Sequence, residues 1–255
     1  MERKIYKFEA ITSTNDFCKD NAKVGAPEGM VAVADFQTMG KGRLGRIFES
    51  PKGTGLYLSI VLRPKFAREF IPFITTAAAV AAARAIEKVS PRKAFIKWVN
   101  DIYVDNKKVA GILAESSFSD TDENLNFVIL GIGVNVLPPK NGFSDNIKDI
   151  AGSIYKKIAP SNIKDSLMAE FLNEFEKIYE ALPDTSFIKE YRERNFLIGK
   201  EITFIKDEKE ISATVLDVDE NASLVVKNNE GEILKLSTGE VNIKKDEKFY
   251  KAINE

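Results

Sequence analysis

The sequence predicts an α+β protein: a mixed β-sheet flanked by helices, followed by a small β-barrel. Two observations carry this. From Met1 to about Tyr191, short apolar runs alternate with segments of helical period. From about Ile198 to Lys245 only short apolar runs remain, spaced at roughly 8–12 residues with Asp, Asn and Gly turns between them. The expected domains are therefore 1–197 and 198–255.

In the first part, Lys4–Phe8 reads as a strand. Ser13 or Thr12 caps a helix running to about Ala22, because a hydroxyl accepts from the first free amides. Met30–Asp35 and Leu56–Leu62 are apolar strands. Residues 72–89 form an alanine-rich helix that Pro72 opens and Ser90-Pro91 stops. Phe95–Trp98, Ile102–Val104, Lys107–Ala114 and Phe127–Val134 read as strands, with Asp105-Asn106 as a hairpin turn. Ser161 is expected to cap a helix whose stripe of Ile163, Leu167, Phe171, Phe175, Ile178 and Leu182 faces the core. The tail reads as strands Glu201–Ile205, Ile211–Val218, Leu224–Lys227, Ile233–Leu236 and Val241–Ile243.

Composition narrows the chemistry. Lys+Arg total 37 against 38 Asp+Glu, and this balance argues against a general nucleic-acid binder. A lone cysteine, Cys18, cannot close an intramolecular disulfide, which fits a reducing compartment. It reads as a small buried apolar group, and Trp98 as sheet packing. The N-terminus lacks the apolar run of a signal peptide, and no stretch approaches the ~20 apolar residues that span a bilayer. A cytoplasmic protein with no membrane partner is expected. Histidine is absent, so Ser–His and Cys–His nucleophile pairs and histidine-ligated metals are excluded. Carboxylates, lysines, arginines and backbone groups must carry the chemistry, which suits substrates that bring their own nucleophile.

Residues 40–46 read GKGRLGR and contain G-x-G-x-x-G. A dinucleotide fold needs a helix to open at the third glycine, but the continuation IFESPKGTGLYLSIVL carries a proline, two glycines and a strand. The phosphate loop ending in GK[ST] is absent. What remains is a glycine loop bearing Lys41, Arg43 and Arg46, either a solvated surface loop or a cationic cover for an anionic ligand. KWVND spans Lys97–Asp101 and KKVAGILAE spans Lys107–Glu115. They make a polar cluster at strand ends, or merely a charged rim. GIGVN, Gly131–Asn135, sets an amide at another strand end, with the donor and acceptor that an adenine edge needs.

Taken in order, STN (Ser13–Asn15), Q-x-x-GKGRLGR (Gln37–Arg46), KWVND, KKVAGIL and GIGVN resemble the biotin–protein ligase family, in its short form without an N-terminal DNA-binding domain. The β-rich tail looks like that family's SH3-like domain, and the resemblance runs nearly end to end. It implies the class II synthetase-like catalytic fold. It implies activation of biotin with ATP to biotinyl-5'-AMP, with Mg²⁺ accompanying ATP. The biotin then passes to a lysine ε-amine on a biotin carboxyl carrier protein.

By the same resemblance, Ser13, Thr14, Asn15, Gln37, Gly40, Lys41, Gly42, Arg43, Lys97 and Gly111 match biotin-binding positions. Arg43, Arg46, Phe48, Lys97, Asn100 and Asn135 match ATP-binding positions, with Phe48 the aromatic near adenine. Lys97 and Arg43 are the expected catalytic cations, and Asp101 the carboxylate that acts as base or orders its loop. Magnesium ligands are not legible. Lys41 replaces the family's first loop arginine, losing the planar fork, and Val99 replaces its usual proline.

Biotin's carboxylate is already an anion, so its attack on the α-phosphate requires charge stabilisation rather than a base. Lipoate–protein ligases and octanoyltransferases share the fold and are the alternative enzyme reading. A DNA-binding repressor is disfavoured because STN begins at Ser13, leaving no room for a winged helix-turn-helix of about 60 residues. A catalytically dead scaffold is disfavoured by Lys97, Arg43 and the glycines. Family members often pair through their sheets, so a homodimer is expected.

Overall fold

Residues alternate along Leu125–Asn135 in a way that explains the whole first sheet. Val128, Leu130, Ile132 and Val134 point to one face and are buried there, while Phe127, Ile129, Gly131, Gly133 and Asn135 point to the other. The computed structural model describes residues 1–118 and 125–243. Its first sheet contains β1 (Lys4–Phe8), β2 (Met30–Ala34), β3 (Gly55–Leu62), β4 (Phe95–Lys97), β5 (Asp101–Val104), β6 (Lys107–Phe118) and β7 (Leu125–Asn135). Their order is β1-β2-β3-β7-β6-β5-β4, with only β1–β2 parallel.

One face of this sheet carries α2 (Phe73–Val89) and α3 (Ile163–Ala181). The buried alanines of α2 let α3 and the sheet approach closely, and the Ile163-to-Leu182 stripe is buried as expected. The other face carries α1 (Thr14–Lys23), which seals Cys18 and Ala22 over Met30, Ala32, Val61, Phe127 and Ile129. The α1 cover ends at this apolar half, and the glycine-bearing half of the same face is left for the loop that follows β2. A short α4 (Ile188–Arg194) leads to the second sheet. That sheet is wholly antiparallel: β8 (Glu201–Lys206), β9 (Lys209–Val218), β10 (Leu224–Asn228), β11 (Ile233–Leu236) and β12 (Val241–Ile243), in the order β11-β10-β9-β8-β12. The final stretch of the expected 198–255 domain, 244–255, lies outside the described residues.

Several expectations need correction. Ser161 does not cap α3. Asn162 is the boundary residue, and it makes no side-chain cap bond. Of the two hydroxyls proposed for α1, Ser13 is the cap, accepting from the Asp16 amide at 3.3 Å. The stretch Arg68–Val89 is, by length and composition alone, long and apolar enough to cross a membrane, contrary to expectation. It is mostly buried inside the fold as the core helix α2. β6 continues past Ala114 to Phe118, because pairing with β7 holds Glu115–Ser117 in the ladder despite their polarity. α4 has too few apolar residues to announce itself. Only Ile188 and Tyr191 of its seven residues are buried.

Candidate active site

The half of this face beyond the α1 cluster is floored by three glycines and Ser59. Gly111 and Gly133 are direct partners across β6 and β7, and Gly131 lies between Leu113 and Ser59. Each glycine seats a side chain. A Cβ on Gly131 would stand 2.1 Å from Asn15 Oδ1, and one on Gly133 would stand 2.4 Å from Phe48 Cε1. The ring of Phe48 thus lies over Gly133 and approaches Gly111, edge-on to Tyr57.

At the α1 end sits a closed polar network. Gln37 Oε1 accepts from the Thr14 amide (2.8 Å) and from Thr14 Oγ1 (3.0 Å), while Gln37 Nε2 donates to Ser50 Oγ (2.9 Å). Ser59 Oγ lies 2.6 Å from Asn15 Oδ1 and 2.7 Å from Thr14 Oγ1. Asn15 Nδ2 donates to Glu115 Oε2 at 2.8 Å. Thr14, Asn15, Ser50 and Ser59 are all buried, so each polar atom needs such a partner. Ser13 is equally buried and serves α1 as its cap, accepting from the Asp16 amide.

The glycine loop runs from this network to the cations. Gly40 packs so tightly that a Cβ would stand 2.3 Å from the Phe48 carbonyl oxygen. Beyond it Gly42 donates to the Arg46 carbonyl at 2.8 Å, closing a short turn in which Leu44 takes the left-handed φ of 54°. Lys41 pairs with Asp16 on α1. Arg43 donates to Asn100 Oδ1 (3.0 Å) and to the Gly239 carbonyl (2.9 Å). Arg46 forks onto the Glu240 carboxylate, with Nη2 2.7 Å from Oε2.

KWVND turns at the far edge of this floor. Asn100 is a hub: Nδ2 donates to the Ile112 carbonyl at 2.7 Å, its own carbonyl accepts from the Ile112 amide, and its Oδ1 holds Arg43. Lys97 pairs with Asp101 across β4 and β5. It lies among Asp101, Lys108, Glu240 and Arg46, and burial pushes its ammonium below the usual lysine range. The Lys97 side chain makes no hydrogen bond or salt bridge among the described residues. Asp101 is held by Lys108 at 2.7 Å. Trp98 is buried, and its indole N–H donates to the Ala222 carbonyl in the turn between β9 and β10 (2.9 Å). Asn135, two residues along the same face from Gly133, donates to the Gly152 carbonyl at 3.1 Å, and its Oδ1 has no bond among the described residues.

The structure therefore gathers Thr14, Asn15, Gln37 and Gly40 around one polar end, while Gly111 lies opposite Asp101 and beside Phe48 and Lys108. The structure gathers Lys97, Arg43, Arg46, Asn100 and Asp101 around a cationic end, with Phe48 between and Asn135 beyond. Sequence reasoning missed Ser59, Glu115, Lys108 and Glu240. Ser59 was signalled as the one polar residue in the apolar run of β3, and Lys108 as the second lysine of KKVAG. Glu240 carried no local signal. Among the described residues no group of three or more His, Cys, Asp or Glu could cage a metal ion.

The chain matches the Biotin/lipoate A/B protein ligase family over residues 7–135 and the Biotin protein ligase C terminal domain over residues 197–243. The bifunctional ligase/repressor BirA of Bacillus subtilis is 36% identical over 179 residues, 70% of this chain and 54% of that protein. Biotin–protein ligase 1, chloroplastic, of Arabidopsis thaliana is 31% identical over 211 residues, 78% of this chain and 54% of that protein. The chain thus spans about half the length of these curated relatives. A solved biotin protein ligase from Aquifex aeolicus, in complex with biotin and ATP, shares the fold with a TM-score of 0.76. Its identity is 24%, and the match covers 96% of this chain and 100% of that one.

Proposed function

The chain belongs to the Biotin/lipoate A/B protein ligase family, and from that premise we propose that it is a biotin–protein ligase. It activates biotin with ATP to biotinyl-5'-AMP and passes the biotin to a lysine of a biotin carboxyl carrier protein. The observation that carries this is the single sheet face on which a donor-and-acceptor network adjoins a cation cluster. Biotin's ureido ring presents one carbonyl and two N–H groups, which Thr14, Asn15, Gln37 and Ser59 can match by exchanging partners within their network. A lipoyl or octanoyl chain has no polar head of that kind, so the network favours biotin over those substrates.

In the first step the biotin carboxylate oxygen attacks the α-phosphorus, and the bond to the β-phosphate breaks to release pyrophosphate. The Lys97 side chain, unbonded among the described residues, meets the two approaching anions, with Arg43 held on Asn100 of the same KWVND turn. Arg46 faces the phosphates. Phe48 on its glycine seat and Asn135 frame the adenine. Magnesium would be carried mainly by the phosphate oxygens of ATP, since among the described residues no three carboxylates gather to hold it. In the second step the neutral acceptor amine attacks the acyl carbon of the mixed anhydride, the C–O bond to AMP breaks, and the amine's surplus proton passes to water. The Lys108 salt bridge supports a loop-ordering role for Asp101 rather than that of a free base.

The five-stranded second sheet is read as the SH3-like domain. A reducing, cytoplasmic setting suits the buried thiol of Cys18, and the balanced charge suits a protein without specific DNA binding. A homodimer would use an open sheet edge such as β1. The test is incubation with biotin, MgATP and a biotin-carrier domain, followed by mass spectrometry. A biotinyl increment on one acceptor lysine is expected, and a lipoyl increment from lipoate but none from biotin would overturn the reading.

A further inference from the structure

Every cation of the glycine loop is already engaged, and the outermost is engaged by the second sheet. Arg46 meets the Glu240 carboxylate in a two-pronged fork, the geometry by which guanidinium recognises a phosphate. The neighbouring Gly239 carbonyl holds Arg43. Besides these, Arg43 is held by Asn100, and the loop closes on itself through the Gly42–Arg46 bond. Leu44 and Ile47 are each 76% exposed, and Leu44 holds a left-handed backbone that a side chain disfavours. The Arg46–Glu240 pair joins residues 194 apart in the chain, so it reports on how the two sheets sit together.

We propose that Glu240 is a positioning residue that stands in for a nucleotide phosphate. It holds Arg46 over the nucleotide site and is displaced from it by the triphosphate of ATP. This rests on the reading that Arg46 faces the ATP phosphates. The carboxylate and the triphosphate compete for one fork, so Glu240 keeps the loop ordered at the expense of ATP affinity. Arg46 is 66% and Glu240 34% exposed, so the pair is weak enough to exchange.

The test is biotin-dependent ATP–pyrophosphate exchange by the wild type, Glu240→Gln, Arg46→Ala and the double variant. Glu240→Gln is expected to lower KM for ATP by about two- to fivefold, with kcat and KM for biotin nearly unchanged. The effect should vanish in the Arg46→Ala background. A purely structural role for Glu240 would raise KM or lower kcat, and either result overturns the proposal. If Arg46→Ala leaves KM for ATP unchanged, the underlying reading of Arg46 fails as well. If Arg46→Ala raises it while Glu240→Gln does not lower it, only the competition fails. A measure independent of turnover is tryptic cleavage after Arg43 and Arg46 without nucleotide. Glu240→Gln should be cut faster than wild type, and equal rates would overturn the holding role.

Discussion

The ring of Phe48 rests on Gly133 so closely that a Cβ there would stand 2.4 Å from Phe48 Cε1 and 2.7 Å from Cζ. Gly133 faces Gly111 across the ladder, so two missing side chains create a flat seat for one aromatic. Gly133→Ala must therefore lift Phe48 or shift the strand, at a cost of about 1–3 kcal/mol. Exchange kinetics should show a raised KM for ATP and little change for biotin. A change confined to biotin would assign Phe48 to the other end of the site.

Ser59→Ala should strike the opposite substrate. Its hydroxyl lies between Asn15 Oδ1 and Thr14 Oγ1, both buried, and its loss leaves polar atoms without a partner. That costs about 1–3 kcal/mol, so KM for biotin should rise roughly tenfold while KM for ATP holds. Equal effects on both substrates would point to general unfolding, which thermal melting would reveal.

Lys97 carries its charge at a cost to the fold. Burial lowers its pKa from 10.5, with Asp101 opposing the shift. Below the depressed folded value both states are charged, and the folded state bears the full penalty. The penalty disappears as pH rises from the folded value to the unfolded value of 10.5. Lys97→Met should therefore abolish adenylation yet unfold at a higher temperature than wild type at pH 7, with the gap closing towards alkaline pH. Wild-type activity should fall on an alkaline limb below 10.5 as the cation is lost. Lys97→Arg should carry that limb upward in any activity it retains.

Acid stability depends on the far side of the sheet. Glu174 is 5% exposed and accepts from Lys88 (2.8 Å), Lys177 (2.9 Å) and Arg84 (3.1 Å). Lys88 foremost draws its pKa down to about 2 from 4.5, against the opposing effect of burial. The stabilisation is present above 4.5 and lost as pH falls towards 2. Glu174→Gln should cost on the order of 2–3 kcal/mol at neutral pH. Urea titrations should show the deficit shrinking through this acid window, and a deficit constant with pH would exclude the charge as its cause.

The sequence by itself determined the local periods and the composition of the site. The alternation along β7 and the stripe of α3 are written residue by residue, because burial on one face repeats with the backbone's own geometry. The absence of histidine and the ordered motifs likewise set which groups could do the chemistry. Only the tertiary structure decided which residues face each other. That Gly111 lies opposite Gly133 is a matter of strand register, and that Glu240 holds Arg46 is a matter of how two sheets dock. Ser161 looked like a helix cap as well as Ser13 did, and only Ser13 has an amide placed to use it. Contacts of this kind join distant segments, and their free energies depend on burial and geometry that neither segment specifies alone.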